Sequence, residues 1–345
     1  MIRRMSCRLV LVSVLVPALA HADSSVTITL SDEGKAAAAL SGRTPEQMAM
    51  DLKAKVDEAY QTANIPGFLR AFTDATAFSQ RGIGVDYGSA PEGIIFGIAG
   101  NVAAASDSVL EEKEHPTAGA ALNFAAMAGY NLKAQDLPKW TLFVSGFYQG
   151  ASTDKLSGDI ASVGAHVQFR ILDPQRSDGA GTFVRWLGLS ATSGLEYTRW
   201  KLGAKNLTNT FHLDGQNGQP GTDVAVDAAG NFDLTSNAVT VPVEVTTGLR
   251  LALIASLYIG AGVDFTVGKS DVNGNLSGDI NSTTEPKTKL GTVALTATGD
   301  NTASPAAGRV LAGAQLNLWK LKIFVQGNVS ATPAASVAFG LRMVL

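Results

Sequence analysis

The chain is poor in the residues that would commit it to several common chemistries. Its one cysteine, Cys7, lies inside an N-terminal basic and apolar stretch, so the remainder has no thiol for a disulfide or a cysteine metal site. No charge of one sign dominates: the formal net charge is −3, and no block of Lys or Arg follows Arg8. That balance argues against a nucleic-acid surface or a strongly acidic or basic partner. Long apolar runs are scarce too. Past the N-terminal stretch, the sizeable one spans 251–263 and is broken by Ser256 and Gly260. A helix needs about 20 apolar residues to cross a bilayer, so only strands can carry this chain across a membrane. Aromatics are 7% of the residues, and small side chains fill much of the rest, with Gly at 36 positions.

The first 22 residues are set apart. Arg3, Arg4 and Arg8 form a basic region, 9–18 an apolar core, and Ala20-His21-Ala22 a small-x-small cleavage site before Asp23. This pattern predicts a secretory signal peptide over 1–22 and export. Cys7 precedes the apolar core, so the arrangement is not that of a lipid-anchored N-terminus.

From residue 82 onward most of the sequence alternates with a period of two, the mark of strands with one apolar face. Near the C-terminus, Val310, Ala312, Ala314, Leu316 and Leu318 alternate with Arg309, Leu311, Gly313, Gln315 and Asn317. After the turn Trp319-Lys320 come Leu321, Ile323, Val325 and Val329, then Ala335, Val337, Phe339, Leu341, Met343 and Leu345. The same spacing begins near Ile94 and recurs through Phe124, Trp140, Val163, Leu189, Val239 and Leu257. Ten strands are clear between residues 93 and 345, and 82–87 and 290–298 are candidates for two more, or for a lumen hairpin and an extended loop strand. Pro242 inside one strand removes a ladder donor and predicts a bulge or a later start.

The ending Gly340-Leu341-Arg342-Met343-Val344-Leu345 resembles the C-terminal insertion signal of bacterial outer-membrane β-barrels, in Gly340, Met343 and Leu345, with an aliphatic last residue where that family ends on an aromatic. The resemblance implies an all-β fold: a transmembrane antiparallel up-and-down β-barrel of about 10–12 strands with a short N-terminal α-helical segment. Connection lengths agree with it. The connections 131–139, 173–181, 250–254 and 319–320 are short, whereas 203–237 and 269–306 read as long, polar, solvated loops. Tyr130, Trp140, Trp186, Tyr258 and Trp319 fall beside the short connections, and Tyr148, Tyr197 and Trp200 near the opposite ends. That is the expected pair of interfacial aromatic girdles.

Residues 23–80 read as an N-terminal helical segment, periplasmic or lying in the lumen, ahead of a barrel over 81–345. Thr44-Pro45-Glu46-Gln47 is a capping box with Pro at the first helical position, and Met48, Leu52, Val56 and Tyr60 then recur every fourth residue. Asn64 to Gly67 interrupts this helix, and a second one, 68–78, succeeds it. The segment either packs for stability or plugs the barrel. The N-terminal half, especially Asn64 to Tyr87, loosely resembles uncharacterised barrel families that include bacterial surface adhesins.

The inward set is where function is expected. It contains His166, Arg170, Glu196, Glu244, Arg250, Asp264, Arg309, Lys322 and Arg342, with cations in excess. Such a set either fills a narrow lumen with salt bridges or forms a constriction selective for small anions. Enzymatic readings fail. His166 has Ser162 and Ser190 on the same face but no hydrolase motif around it, and His115 and His212 fall in loops without metal-ligand spacing. Residues 271–275 look briefly like a calcium loop, but Leu276 replaces the required Gly and Ser282 the required Glu. The sequence therefore predicts an exported, non-enzymatic outer-membrane protein without cofactor. Its function is a narrow channel for small polar or anionic solutes. The alternative is a surface structural or adhesion protein that binds through 203–237 and 269–306. Outer-membrane lipid, the barrel-assembly machinery, and a solute or surface ligand are its expected partners.

Overall fold

The computed structural model describes residues 21–60, 64–89, 93–107, 118–175, 183–215, 218–219, 221–252, 254–283 and 287–345. The predicted leader lies outside these apart from His21 and Ala22, which open the first strand; His115 also lies outside. The elements run β1 (His21–Leu30), α1 (Asp32–Leu40), α2 (Pro45–Tyr60), α3 (Ile65–Phe78), β2 (Ile94–Ser106), β3 (Ala118–Asn131), β4 (Trp140–Ser152), β5 (Leu156–Leu172) and β6 (Val184–Leu213). They continue with β7 (Thr222–Leu251), β8 (Ala255–Ser282), β9 (Lys289–Thr302), β10 (Ala306–Leu318), β11 (Leu321–Ser330) and β12 (Ala334–Val344).

All twelve strands belong to one sheet, and every pairing described is antiparallel. Ten of them close a ring. From β2 each strand pairs with the next as far as β8, which pairs with β10; β11 and β12 come next, and β12 returns to β2 through Val337↔Val102 and Leu341↔Ile98. Closure is how an antiparallel sheet escapes unwanted pairing, and here it is complete except along the upper part of the β3–β4 seam. Because the side-chain period is two, one face of every strand turns to the lumen and the other outward. The outward set is apolar around the whole circumference: Ile98, Leu122, Val144, Val163, Leu195, Val243, Val263, Val310, Val325 and Phe339 are all exposed.

The segments 203–237 and 269–306, read from sequence as loops, are mostly strand among their described residues. β6 runs unbroken to Leu213, β7 starts at Thr222, and β8 extends to Ser282. Above the ring the upper part of β8 exchanges its partner: Lys269 to Asn281 pair with β9 instead of β10, and β9 pairs in turn with β1. β6, β7, β8, β9 and β1 thus form a sheet that rises from the barrel as a continuation of its wall. The inner face of this extension carries Val224, Val226, Val272, Leu276, Ile280, Val293 and Leu295, which pack with Met48, Leu52, Val56, Leu69 and Phe72 of the helices into one core. Its outer face is polar, with Asp227, Asp233, Asp271 and Asn275 exposed. Asn and Asp on that outer face, with Gly230, Gly274 and Gly278 on the inner one, hide the inner alternation.

Pro242 does not end or bulge its strand. The β7–β8 register passes through Pro242↔Asp264 without a shift, and beside Pro242 the β6–β7 ladder skips the rungs between Ser193↔Val243 and Glu196↔Thr240 with its register unchanged. The missing donor is absorbed by a local gap on one side of the strand.

The N-terminal segment contains the two helices expected, together with β1 and α1. Thr44 and Gln47 cap α2 reciprocally, Gln47 N–H donating to Thr44 Oγ1 at 3.2 Å and Thr44 N–H to Gln47 Oε1 at 2.8 Å. Asn64 caps α3, accepting from Gly67 N–H at 3.1 Å. α3 lies across the upper mouth of the barrel, where Thr73 donates to Ser270 of β8 at 2.6 Å and Asp74 accepts from the Ser304 N–H and hydroxyl at 2.7 and 2.8 Å. Desolvation raises the half-buried Asp74 carboxyl above its ordinary range, against the two Ser304 bonds and Arg70, which act to lower it.

Candidate functional site: the filled lumen

Beyond α3 the chain turns down into the barrel. Residues 79–89 form no strand and pass along the lumen from the α3 end to the end where β2 begins. Nearly every residue of this strap meets the wall. Gln80 donates to Thr198 Oγ1 at 2.7 Å. Ile83 packs with Ala99, Ala125, Phe324 and Ala338, and Val85 with Ile95, Met127 and Phe143. Gln315 donates to the Ser89 hydroxyl at 2.8 Å. Gly82 and Gly84 hold φ of +79° and +84°, open to Gly at little cost, and a Cβ on them would come within 2.8 Å of Ala338 Cβ and Ser145 Oγ.

The charged residues of the wall are organised by this strap. Arg81, 2% exposed, binds Glu196 through one guanidinium nitrogen and Asp264 through the other at 3.3 Å. Glu196 also takes His166 Nε2 at 2.9 Å. Asp264 is shared with Arg309 Nε at 3.0 Å, and Arg309 reaches on to Glu244, whose other oxygen accepts from the Tyr87 hydroxyl. Lower down, Arg342 meets Asp86 at 3.3 Å, donates to the Val85 carbonyl at 2.5 Å and stacks 3.6 Å over Phe324. Asp86 in turn accepts from the Gly88 and Ser89 N–H groups at 3.0 and 3.1 Å, which turns the strap toward β2. Three arginines therefore face four carboxylates in the middle of the lumen. A buried charge without a partner is expensive, and this network satisfies each with another.

The sequence-predicted residues divide accordingly. His166, Glu196, Glu244, Asp264 and Arg309 converge on Arg81 and Tyr87, and Arg342 lies apart on Asp86. Arg170, Arg250 and Lys322 sit below, near the short connections, where Lys322 Nζ donates to the Trp319 carbonyl at 2.7 Å. In mid-lumen the carboxylates outnumber the arginines, and the excess of cations read from the wall lies below, in Arg170, Arg250 and Lys322. Ser162 and Ser190 do not pair with His166; the Ser162 hydroxyl donates to the Phe124 carbonyl at 3.4 Å. Arg81, Asp86 and Tyr87 were not among the expected site residues. Their signal was an Arg and an Asp alone in the apolar stretch 81–87, between the last helix and the first strand of the ring.

Two expected interface aromatics need correction. Tyr258, 1% exposed, points into the lumen and donates to Gln326 Oε1 at 3.3 Å, and Trp200 is buried edge-on against Phe72 with centroids 6.3 Å apart. Both occupy even positions of strands whose even residues face inward. Tyr130, Trp140, Tyr148, Tyr197 and Trp319 are exposed, and Trp186 is half-buried with its indole N–H on Thr247 at 2.8 Å. Of the terminal residues, Met343 and Leu345 face outward, and a Cβ on Gly340 would lie 2.4 Å from the Ile98 carbonyl. Residues 271–275, with their calcium-loop composition, are part of β8, and among the described residues no group of three His, Cys, Asp or Glu is placed to hold a metal.

No curated protein matches the chain by sequence. Among solved structures it is similar to the outer membrane protease OmpT from Escherichia coli, at 10% identity and TM-score 0.38, covering 74% of this chain and 97% of that one. It is also similar to the translocator domain of autotransporter NalP from Neisseria meningitidis, at 9% identity and TM-score 0.29, covering 85% and 98%. A third is the Ralstonia pickettii toluene transporter TbuX, at 7% identity and TM-score 0.25, covering 80% and 99%. The description Lsa36-like matches residues 22–345, and the chain belongs to that family.

Proposed function

We propose that the protein is an outer-membrane β-barrel, sealed by its own strap, that anchors a surface domain built from the β6–β9 extension, β1 and the three helices. The membrane half of this reading is supported by the outward face. On β7 and β8 it changes from Val239 and Val267 below to Asn237 and Lys269 above, and the register pairs Val239 with Val267 and Asn237 with Lys269. The change from apolar to polar therefore falls at one height on neighbouring strands, as a bilayer boundary requires, with Tyr197 paired to Val239 at the same level. A belt of exposed aliphatics around a whole circumference far exceeds what a soluble monomer presents. By the usual convention the short connections face the periplasm and the extension faces outward.

The observation that carries the anchor reading over the channel is the strap. Its buried ion pairs fill the lumen where an anion would have to pass, so the function falls to the polar outer face above the membrane, where an external ligand can make contact. This reading assigns no enzymatic step and no cofactor. It requires outer-membrane lipid and the barrel-assembly machinery as partners. Purified protein in a planar bilayer is expected to give no stepwise current. Stepwise currents from the unmodified protein, changed by Arg342→Ala, would return the anion channel and sink the sealed anchor.

A further inference from the structure

The wall of the barrel is unzipped between β3 and β4 over its upper half. Their ladder runs from Asn131↔Thr141 to Ala126↔Gly146 and stops. β3 nevertheless goes on pairing with β2 as far as Ala118, and β4 with β5 as far as Ser152. Residues 118–125 and 147–152 therefore face each other with no rungs between them. One carbonyl on this edge, that of Phe124, takes the Ser162 hydroxyl from β5. The Phe124 and Phe147 rings lie 5.7 Å apart across the split. A cavity of about 600 Å³ opens beside them, lined chiefly by Gly100, Ala126, Gly340, Phe124, Phe147 and Phe339, with no charged side chain among its lining residues. Small residues make its floor and aromatics its rim, and Phe339 and Phe124 are also part of the exposed apolar belt.

Inside hydrocarbon an unpaired backbone edge is costly, because nothing there replaces the missing rungs. The molecule that suits this split brings alkyl carbon to the cavity and hydrogen-bonding atoms to the edge. We infer that the seam binds one acyl chain of an outer-leaflet lipid, its tail in the cavity and its ester or amide linkage against the unpaired backbone of 118–125 and 147–152. The uncharged lining selects a linked acyl chain over a free fatty acid, whose carboxylate would meet no cation there. This inference rests on the membrane reading above.

The full-length protein is to be reconstituted in vesicles of a phospholipid carrying a diazirine near the acyl terminus, illuminated, and its crosslinks mapped by mass spectrometry. Crosslinks at Ala126 and Phe147 are expected to exceed those at Val263 and Val310, on another part of the belt, by about tenfold, the preference given by burying about two extra methylene groups. Continuing the β3–β4 register would set position 122 opposite 150, so Leu122→Cys with Gly150→Cys can be joined by a disulfide when the split closes, its formation confirmed by mass before labelling; the chain's own cysteine, Cys7, lies in the predicted leader. Oxidation should reduce labelling at the seam to the level of the belt, and a reductant should restore it. Even labelling around the belt, or seam labelling indifferent to the disulfide, overturns the inference and leaves the membrane reading standing. Absence of labelling at every strand overturns both.

Discussion

Arg81 ties the strap to two carboxylates of the wall. It bridges Glu196 and Asp264, both buried; Glu196 also meets the His166 ring and Asp264 also meets Arg309. Arg81→Ala is expected to destabilise the folded barrel by about 3–5 kcal/mol, since removing one member strands its partners in low dielectric. The check is the temperature at which the folded form is lost on a heat-modifiable gel. Arg81→Met combined with Glu196→Gln should cost less than the sum of the two single changes, because the pair is removed together. Gly84 offers a second, steric test. With φ at +84° and Ser145 Oγ 2.8 Å from where a Cβ would stand, Gly84→Ala should cost about 1–2 kcal/mol by the same assay. Ser145→Gly should recover the clash but not the backbone strain.

At the level of elements, α3 is docked through a carboxyl that burial has made harder to ionise. Asp74 holds its proton in the folded state to a higher pH than in the unfolded chain. Its contribution is therefore fully present below the ordinary aspartate value, about 3.9, and is lost as pH rises through the raised one. Opening of α3, tracked by hydrogen exchange of residues 65–78 after correction for intrinsic rates, should become easier across that window. Asp74→Asn should remove the dependence while keeping a bond to Ser304; an unchanged profile would sink this account.

Which elements were legible in the sequence has the same physical basis. The ring strands announce themselves because outward-facing and lumen-facing positions differ sharply, as in Val325 against Gln326. The upper halves of β7 and β8 do not, because Gly230, Gly274 and Gly278 interrupt the inner apolar row of Val226, Leu234, Val272 and Leu276, and the outer Asn and Asp are typical of loops. β1 alternates Val26, Ile28 and Leu30 with Thr27 and Thr29, yet its partner β9 lies more than 250 residues away, so nothing local reveals it. The inward charged residues could be read from strand parity alone, whereas their partners Arg81 and Asp86 belong to a segment without periodicity. Pairing across the lumen is a tertiary fact: the strap adds Arg81 as well as Asp86, so the cations stay in excess over the whole set and lie apart, in Arg170, Arg250 and Lys322 near the short connections.

For the molecule as a whole, the polar crown and the apolar belt predict which lysines an impermeant amine reagent reaches on intact cells. Lys269 and Lys289, on the extension, should label at once. Lys139 and Lys320, at the short connections, should label only after permeabilisation. The reverse pattern would invert the protein in its membrane.

The strap is held at both ends by the chain itself, running from α3 into the lumen and out to β2, while the final strand, β12, shuts against β2. Such a stopper cannot be shed by diffusion: any opening is a local melting within a tethered segment, and closure needs no second molecule. It also orders biogenesis. The portion synthesised first must already be enclosed when the portion synthesised last completes the ring, or be drawn inward afterwards, so assembly of the wall and sealing of its interior are one event.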